Sequence, residues 1–200
     1  MSTASSRQAW TLALLLALPA CDRPPAPPAS TPSMEVAFSP HGGCTEAVVA
    51  ALEKATGSVL VQAYSFTSAP IAKALVEAHR RGVRVEVILD KSQRTEKYSS
   101  ADFVAHAGIP TLIDAKHAIA HNKVMVIDGK TVVTGSFNFT KAAEEHNAEN
   151  LLVIQDPALA EKYAANWKLH AAHSESYAGR GSEAEEPLLK PREKGVESPR

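Results

Sequence analysis

Between His121 and Asn138 the chain reads H-N-K-V-M-V-I-D-G-K-T-V-V-T-G-S-F-N. This stretch holds one proton-transfer or nucleophilic group, His121, one fixed cation, Lys123, and two neutral hydrogen-bond donors, Ser136 and Asn138. A phosphodiester resists hydrolysis because its charge repels nucleophiles. A catalyst must therefore set positive charge and donors against the phosphoryl oxygens and hold the attack in line. Lys123, Ser136 and Asn138 can supply the charge and the donors. His121 is the one group of the set able to act as nucleophile or general acid near neutral pH.

Positioning them requires a β-hairpin. Val124 and Val126 on one side and Val132 and Val133 on the other bracket an Asp128-Gly129 turn. Side chains alternate along a strand, so His121 and Lys123 share a face. With Gly129 and Lys130 as the central turn residues, Lys123 lies opposite Ser136 and His121 opposite Asn138. With Asp128 and Gly129 central, His121 lies opposite Ser136. Either even-numbered loop gathers His121, Lys123, Ser136 and Asn138 on one face and turns Asp128 to the other. Asp128 is accordingly read as structural, with a turn hydrogen bond.

The spacing His121-x-Lys123-(x4)-Asp128-(x6)-Gly135-Ser136-x-Asn138 resembles the HKD signature of the phospholipase D superfamily. The resemblance runs from about Val36 to about Trp167. Ala63-Tyr64-Ser65-Phe66-Thr67, Gly135 through Ala143 and Glu149-Asn150 are similar to the small bacterial endonucleases of that superfamily, which carry a single motif. It implies a phospholipase D-like fold and hydrolysis through a phosphohistidine, with a second histidine protonating the leaving group and then activating water. It also implies that Glu149 lies on a neighbouring strand and hydrogen-bonds the His121 ring, as the acid of a serine-protease triad does. One histidine cannot easily attack phosphorus and protonate the leaving oxygen in the same step, and this chain has no second H-x-K. An active enzyme is therefore expected to be a two-fold homodimer with one composite site.

Around the hairpin, strands and helices alternate. Strand patterns fall at Val36–Phe38, Val59–Tyr64, Val83–Leu89, Ile109–Ile113 and Glu149–Ile154. Helical stripes fall from Ser39-Pro40 to about Thr56, at Ile71/Leu75/Ala78, around Ser100–Ala107, and over Pro157–His170 with Leu159, Tyr163 and Trp167 facing inward. The run Leu151–Ile154 is continuously apolar, as in a sheet buried on both faces. This predicts an α/β/α layered sandwich with a mixed β-sheet.

The ends differ from this domain. Residues 1–21 read as a lipoprotein-type export signal: Arg7, then an apolar run from Trp10 to Leu18, then Leu18-Pro19-Ala20-Cys21, which resembles a bacterial lipobox with Cys21 as the lipidated residue. Residues 22–33 are a Pro-rich tether. The catalytic domain is expected over residues 34–176, and a charged, disordered tail over residues 177–200. The expected location is the bacterial cell envelope, lipid-anchored and facing the periplasm, or secreted if the lipobox is not used.

The 200 residues carry 21 Lys+Arg against 22 Asp+Glu, a net charge of −1. That is not the basic footprint of a tight non-specific DNA binder, so nucleic-acid contact must rest on a local patch. Lys91, Arg94, Lys97, Lys116 and His117 are candidates for gripping a substrate backbone. Cys44 is read as a small packed residue near a helix start. With His41 it offers too few ligands for zinc, and no metal or cofactor is expected. Together these readings point to a metal-independent endonuclease acting on DNA and perhaps RNA. The alternatives are a phospholipase D-type lipid hydrolase and a non-catalytic envelope protein that binds polyanions.

Overall fold

The computed structural model of the chain describes residues 32–181. The export signal, Cys21 and all of the tether up to residue 31 lie outside the described residues, as do residues 182–200 of the tail. Among the described residues no helix is long and apolar enough to cross a membrane.

Eight strands form one mixed sheet: β1 (Ser33–Ser39), β2 (Ser58–Ala63), β3 (Arg84–Asp90), β4 (Thr111–Asp114), β5 (Lys123–Ile127), β6 (Thr131–Gly135), β7 (Glu149–Gln155) and β8 (Glu175–Ser176). Their spatial order is β1-β7-β6-β5-β2-β3-β4-β8. The pairs β2–β3 and β3–β4 are parallel and the remainder antiparallel. Among the described residues the helices are α1 (Cys44–Glu53), α2 (Ala69–Arg80), α3 (Ala101–His106), α4 (Lys141–Glu145) and α5 (Pro157–Ala171), with one 3-10 turn at Lys91–Arg94.

Alternation along the strands splits the apolar residues into two layers. Val59, Val61, Val85, Val87, Met125, Ile127 and Val133 join Val48 and Leu52 of α1 and Ile71 and Leu75 of α2 in the main core. Val124, Val126 and Val132 point the other way, against Ala160, Leu159 and Tyr163 of α5. Every residue of β5 is buried, because this strand is central and covered on both faces. Burying a Val, Leu or Ile side chain stabilises by about 1.5–3 kcal/mol each. Trp167 seals the α5 face, its indole N–H donating to the Val61 carbonyl at 2.8 Å. The expected α/β/α sandwich with a mixed sheet is thus the observed architecture.

Some local expectations are corrected. The first helix starts at Cys44, not Ser39-Pro40, because His41 and Gly43 adopt positive φ (59° and 81°) and hold residues 40–43 in a turn. Its start is capped from a distance: the Glu144 carboxylate of α4 accepts the N–H groups of Gly43 and Thr45 at 3.2 and 2.7 Å. The β7 run is not buried on both faces. Leu152 and Ile154 are half-buried, because α5 lies over β2, β4, β5 and β6 and stops short of β7 and β1, while Val153 on the opposite face packs at the margin of the main core. The contacts also continue past Ser176, the expected domain end: the Tyr177 hydroxyl donates to Asp102 at 2.6 Å, and the Arg180 side chain reaches the same carboxylate at 2.7 Å.

Candidate active site

The site sits at the edge of the sheet where β5 begins and β6 ends. Ala63, the last residue of β2, pairs with Lys123, the first of β5. One residue further on, the Tyr64 N–H donates to the Asn122 carbonyl at 2.8 Å, so His121 leaves the sheet just beyond a pinned backbone. The loop before it is tied as well: buried Asp90, at the end of β3, accepts the Ala120 N–H at 2.7 Å. His121 is exposed, and its ring packs on Tyr64 with centroids 4.5 Å apart.

The hairpin is not built with an even loop. Ile127 pairs with Thr131 and Val124 with Thr134, which leaves three loop residues, Asp128, Gly129 and Lys130. An odd loop reverses the parity and alone would put Gly135 and Phe137, not Ser136 and Asn138, on the face of Lys123. A bulge corrects this. After Gly135 pairs with Leu151, the N–H groups of Ser136 and Phe137 both donate to the Asn150 carbonyl, at 3.1 and 3.2 Å. Two residues thus oppose one, and the strand is re-aimed. Phe137 goes into the core, while Ser136 and Asn138 line a pocket with His121, Lys123, Gly135 and Glu149.

Within the pocket, Lys123 is buried and its ammonium donates to the His121 carbonyl at 2.8 Å, 5.1 Å from the Tyr64 ring centroid. Burial pushes this lysine below its ordinary pKa, partly opposed by the Glu149 carboxylate. The Ser136 hydroxyl accepts the Asn150 N–H at 3.1 Å, so it locks the bulge as well as facing the pocket. The side-chain oxygen of Asn138 is buried without a hydrogen-bond partner. A group left in that state costs about 1–3 kcal/mol, a cost commonly retained at functional sites.

Glu149 reaches the pocket from the start of β7, but its carboxylate accepts from the Asn147 side chain at 3.1 Å and not from the His121 ring. The expected histidine–glutamate bond is therefore not formed in the single chain. Asn147, two residues earlier, is a nearer donor, and the His121 ring is drawn onto Tyr64. Asp128 lies outside the pocket, as parity required, with φ 52°. Its hydrogen bonds run beyond its own turn. The carboxylate accepts the N–H groups of Thr56, Gly57 and Ser58 at 3.1, 2.7 and 3.0 Å and the Thr56 hydroxyl at 3.0 Å, riveting the hairpin tip to the entry of β2. These bonds outweigh burial and hold the Asp128 carboxyl below its ordinary pKa.

None of the five peripheral candidates lines the pocket. The Lys91 ammonium is spent on the His117 carbonyl at 3.0 Å. Arg94 pairs with Glu175 and lies over the Tyr177 ring. Lys97 lies over Tyr98, and Lys116 contributes a backbone N–H to Asp114. The His117 ring also turns to Asp114, at 3.1 Å. Loop charges so close to buried carboxylates and aromatic rings found partners inside the fold. Cys44 is fully buried, as expected, and burial, with Glu144, Glu46 and Glu149 nearby, pushes its thiol up to about 11.

Tyr64 was missed by sequence reasoning as a site residue. Its position directly after a strand whose end faces His121 was the available signal, but it needed the β2–β5 pairing to be interpreted.

Comparisons with known proteins agree with this fold. Residues 48–169 match the family model described as cardiolipin synthase, PLD-like domain. A phospholipase D of Rickettsia typhi is 45% identical over 141 residues, covering 70% of this chain and 69% of that protein. A mitochondrial cardiolipin hydrolase of Chlamydomonas reinhardtii is 36% identical over 108 residues, covering 54% of this chain and 48% of that one. Among solved structures, Nuc from Salmonella typhimurium, a phospholipase D family member, superposes with a TM-score of 0.71 at 41% identity, covering 74% of this chain and 99% of Nuc. NucT from Helicobacter pylori shares the fold, with a TM-score of 0.69 at 24% identity.

Proposed function

Because the chain is a hydrolase of the phospholipase D superfamily, we propose that it is a metal-independent endonuclease acting on DNA and perhaps RNA. The observation that carries the reading is the pocket itself, where His121 and Lys123 from the start of β5, Ser136 and Asn138 from the bulge after β6, and Glu149 from the start of β7 converge. An anionic phosphoryl group placed there meets the Lys123 ammonium and the Ser136 and Asn138 side chains, with the His121 ring at the exposed rim. His121 attacks phosphorus, the bond to the leaving oxygen breaks, and that oxygen takes a proton from a second imidazole. Water, deprotonated by the same second imidazole, then attacks phosphorus and breaks the P–N bond to restore His121.

The second imidazole is the partner's His121. A homodimer supplies it, and the surface offers a place for a second copy. Met34, Val36 and Phe38 alternate along edge strand β1 at 65%, 54% and 62% exposure. In register with them on the same face lie Leu152 and Ile154 of β7, which α5 leaves uncovered. The stripe ends beside the pocket, since Phe38 pairs with Asn150 and Ser39 with Glu149. A large apolar face abutting half of an active site supports covering it with another copy. Export and lipid anchoring through Cys21 would place this enzyme in the bacterial envelope.

A phospholipid substrate is the second reading, favoured by the relatives named phospholipase D. Nucleic acid is ranked first because residues 63–67 and 135–143 resemble the small single-motif endonucleases of the superfamily. The test incubates the protein with plasmid DNA and with labelled phospholipid, each with EDTA, beside a His121→Ala control. DNA cleavage that persists in EDTA and disappears in the control is expected. Activity confined to lipid would overturn the substrate. Loss on adding chelator while circular dichroism shows an intact fold would sink the metal-free chemistry. DNA retained without cleavage would favour the non-catalytic polyanion binder.

A further inference from the structure

Along the same edge of the sheet, separated from β5 by β2 and β3, a second cluster uses none of the residues that line the pocket. Asp114 ends β4 and is fully buried. His117 comes from the loop that leads to His121, His170 from the last turn of α5, and His173 from just after that helix. All three rings turn to the one carboxylate. His170 Nδ1 lies 2.7 Å from Asp114 Oδ2, His117 Nδ1 3.1 Å from the same oxygen, and His173 Nε2 3.3 Å from Oδ1. The ring centroids are 5.0, 5.3 and 5.4 Å apart, and one ligand atom from each of the four residues lies within 4.8 Å of every other.

Hydrogen bonding alone leaves this arrangement incomplete. His173 Nε2 is buried and, although close to Asp114 Oδ1, is out of line for a hydrogen bond, so it has no partner. The fully buried Asp114 carboxyl thus faces three imidazoles, one of them without a hydrogen-bond partner. Three imidazole nitrogens and one carboxylate oxygen form the tetrahedral N3O donor set that suits zinc, at bond lengths of about 2.0–2.2 Å. The sequence carries the corresponding signal as two short pairs, Asp114-x-x-His117 and His170-x-x-His173. Each places two ligands about one turn apart, but the pairs are separated by more than fifty residues.

We propose that Asp114, His117, His170 and His173 bind one transition-metal ion, zinc being the best match, as a structural clamp. The ion joins β4 and the C-terminal end of α5 to the 115–122 loop. That loop is already fastened by Lys91 to the His117 carbonyl and by Asp90 to the Ala120 N–H, and it delivers His121. Four protein ligands close the coordination shell, so the site holds the loop and presents no open position for catalysis.

The test uses the full chain, stripped of metal and titrated with Zn2+ and separately with Co2+, whose visible spectrum reports tetrahedral coordination. One equivalent of either ion is expected to bind, with tetrahedral cobalt bands and a zinc-dependent rise in melting midpoint of roughly 5 °C. His173→Gln and the double variant His170→Ala/His173→Ala are expected to bind at least about tenfold more weakly and to lose the zinc-dependent rise, whereas His121→Ala retains both. If the double variant does not fold, the wild-type cobalt spectrum and His173→Gln still decide the matter. No stoichiometric binding by the wild type, octahedral cobalt, equal binding by His173→Gln, or loss of the ion in His121→Ala would each overturn the proposal. Metal content and DNA cleavage are read separately, so failure of the clamp and failure of the nuclease reading are distinguishable.

Discussion

A β-carbon on Gly135 would lie 2.2 Å from the Asn150 carbonyl oxygen, the atom that accepts the N–H groups of both Ser136 and Phe137. With φ at 148°, Gly135 has a backbone that L side chains rarely adopt. The bulge that turns Ser136 and Asn138 into the pocket therefore depends on glycine. Gly135→Ala is expected to cost about 2–4 kcal/mol, from strain and overpacking together, and to remove most activity in the molecules that still fold. Urea unfolding monitored by tryptophan fluorescence, beside single-turnover cleavage, checks both.

Asp128 lies outside the pocket and fastens the hairpin tip to the entry of β2. Asp128→Ala leaves the Thr56, Gly57 and Ser58 N–H groups without their acceptor and is expected to cost about 2–4 kcal/mol, with the activity of the folded fraction changed far less than by His121→Ala. A large loss of turnover at unchanged stability would show that this carboxylate acts in the chemistry instead.

The acid limb of stability follows from depressed carboxyls. Asp128 lies below its ordinary value, and Asp102 falls from 3.8 to about 2 because its bonds to Tyr177 and Arg180 outweigh burial. A carboxyl whose folded pKa is lowered contributes stability that is complete above its unfolded pKa and is lost as pH falls through the folded one. Stability is thus expected to be level above about pH 5 and to fall from about pH 4 toward 2. In Asp102→Asn and Asp128→Asn the slope should be shallower from a lower plateau. Urea midpoints taken across this range read it directly.

Lys123 is expected to set the alkaline limb of activity. Its ammonium is held by burial below the ordinary lysine pKa of 10.5, so activity that needs this charge is expected to decline at a lower pH than a surface lysine would dictate. For stability the sign is opposite to a raised lysine: burying the charged form costs stability below the folded pKa, and that cost is relieved as pH rises toward the unfolded value. Lys123→Ala is expected to lower the cleavage rate by about 10²–10³ or more. A pH–rate profile of the wild type and single-turnover rates of the variant check the two statements.

The apolar stripe predicts an association. Phe38→Glu, alone or with Val36→Asp, is expected to halve the mass found by light scattering and to abolish cleavage, while leaving each chain folded, because these side chains are already exposed in the single chain. A wild type that is monomeric and fully active would defeat the shared site.

How much of the site could be read in advance depended on its range. The helix of Pro157–Ala171 and the strand of Arg84–Asp90 were legible because their apolar periods are local. So was the turning of Asp128 away from the pocket, although by another route than an even loop: the hairpin loop has three residues, and a bulge against Asn150 restores the parity. Nothing local to Ser136 reveals that bulge, since its acceptor lies on β7, fourteen positions away. The Glu149–His121 bond expected by resemblance is absent for the same kind of reason, as Asn147 competes for the carboxylate.

By itself the sequence determined the residue types, the spacing of the HKD motif and the alternation that builds two apolar layers, because these follow from neighbours along the chain. Only the tertiary structure decided which strand end faces which. It set Tyr64 against His121, spent Lys91, Arg94 and His117 on internal partners, left the α5-side face of β1 and β7 uncovered, and gathered Asp114, His117, His170 and His173 around one point. Such encounters join residues far apart in the chain, and the packing of α5 and the order of the sheet, not any short pattern, bring them within bonding distance.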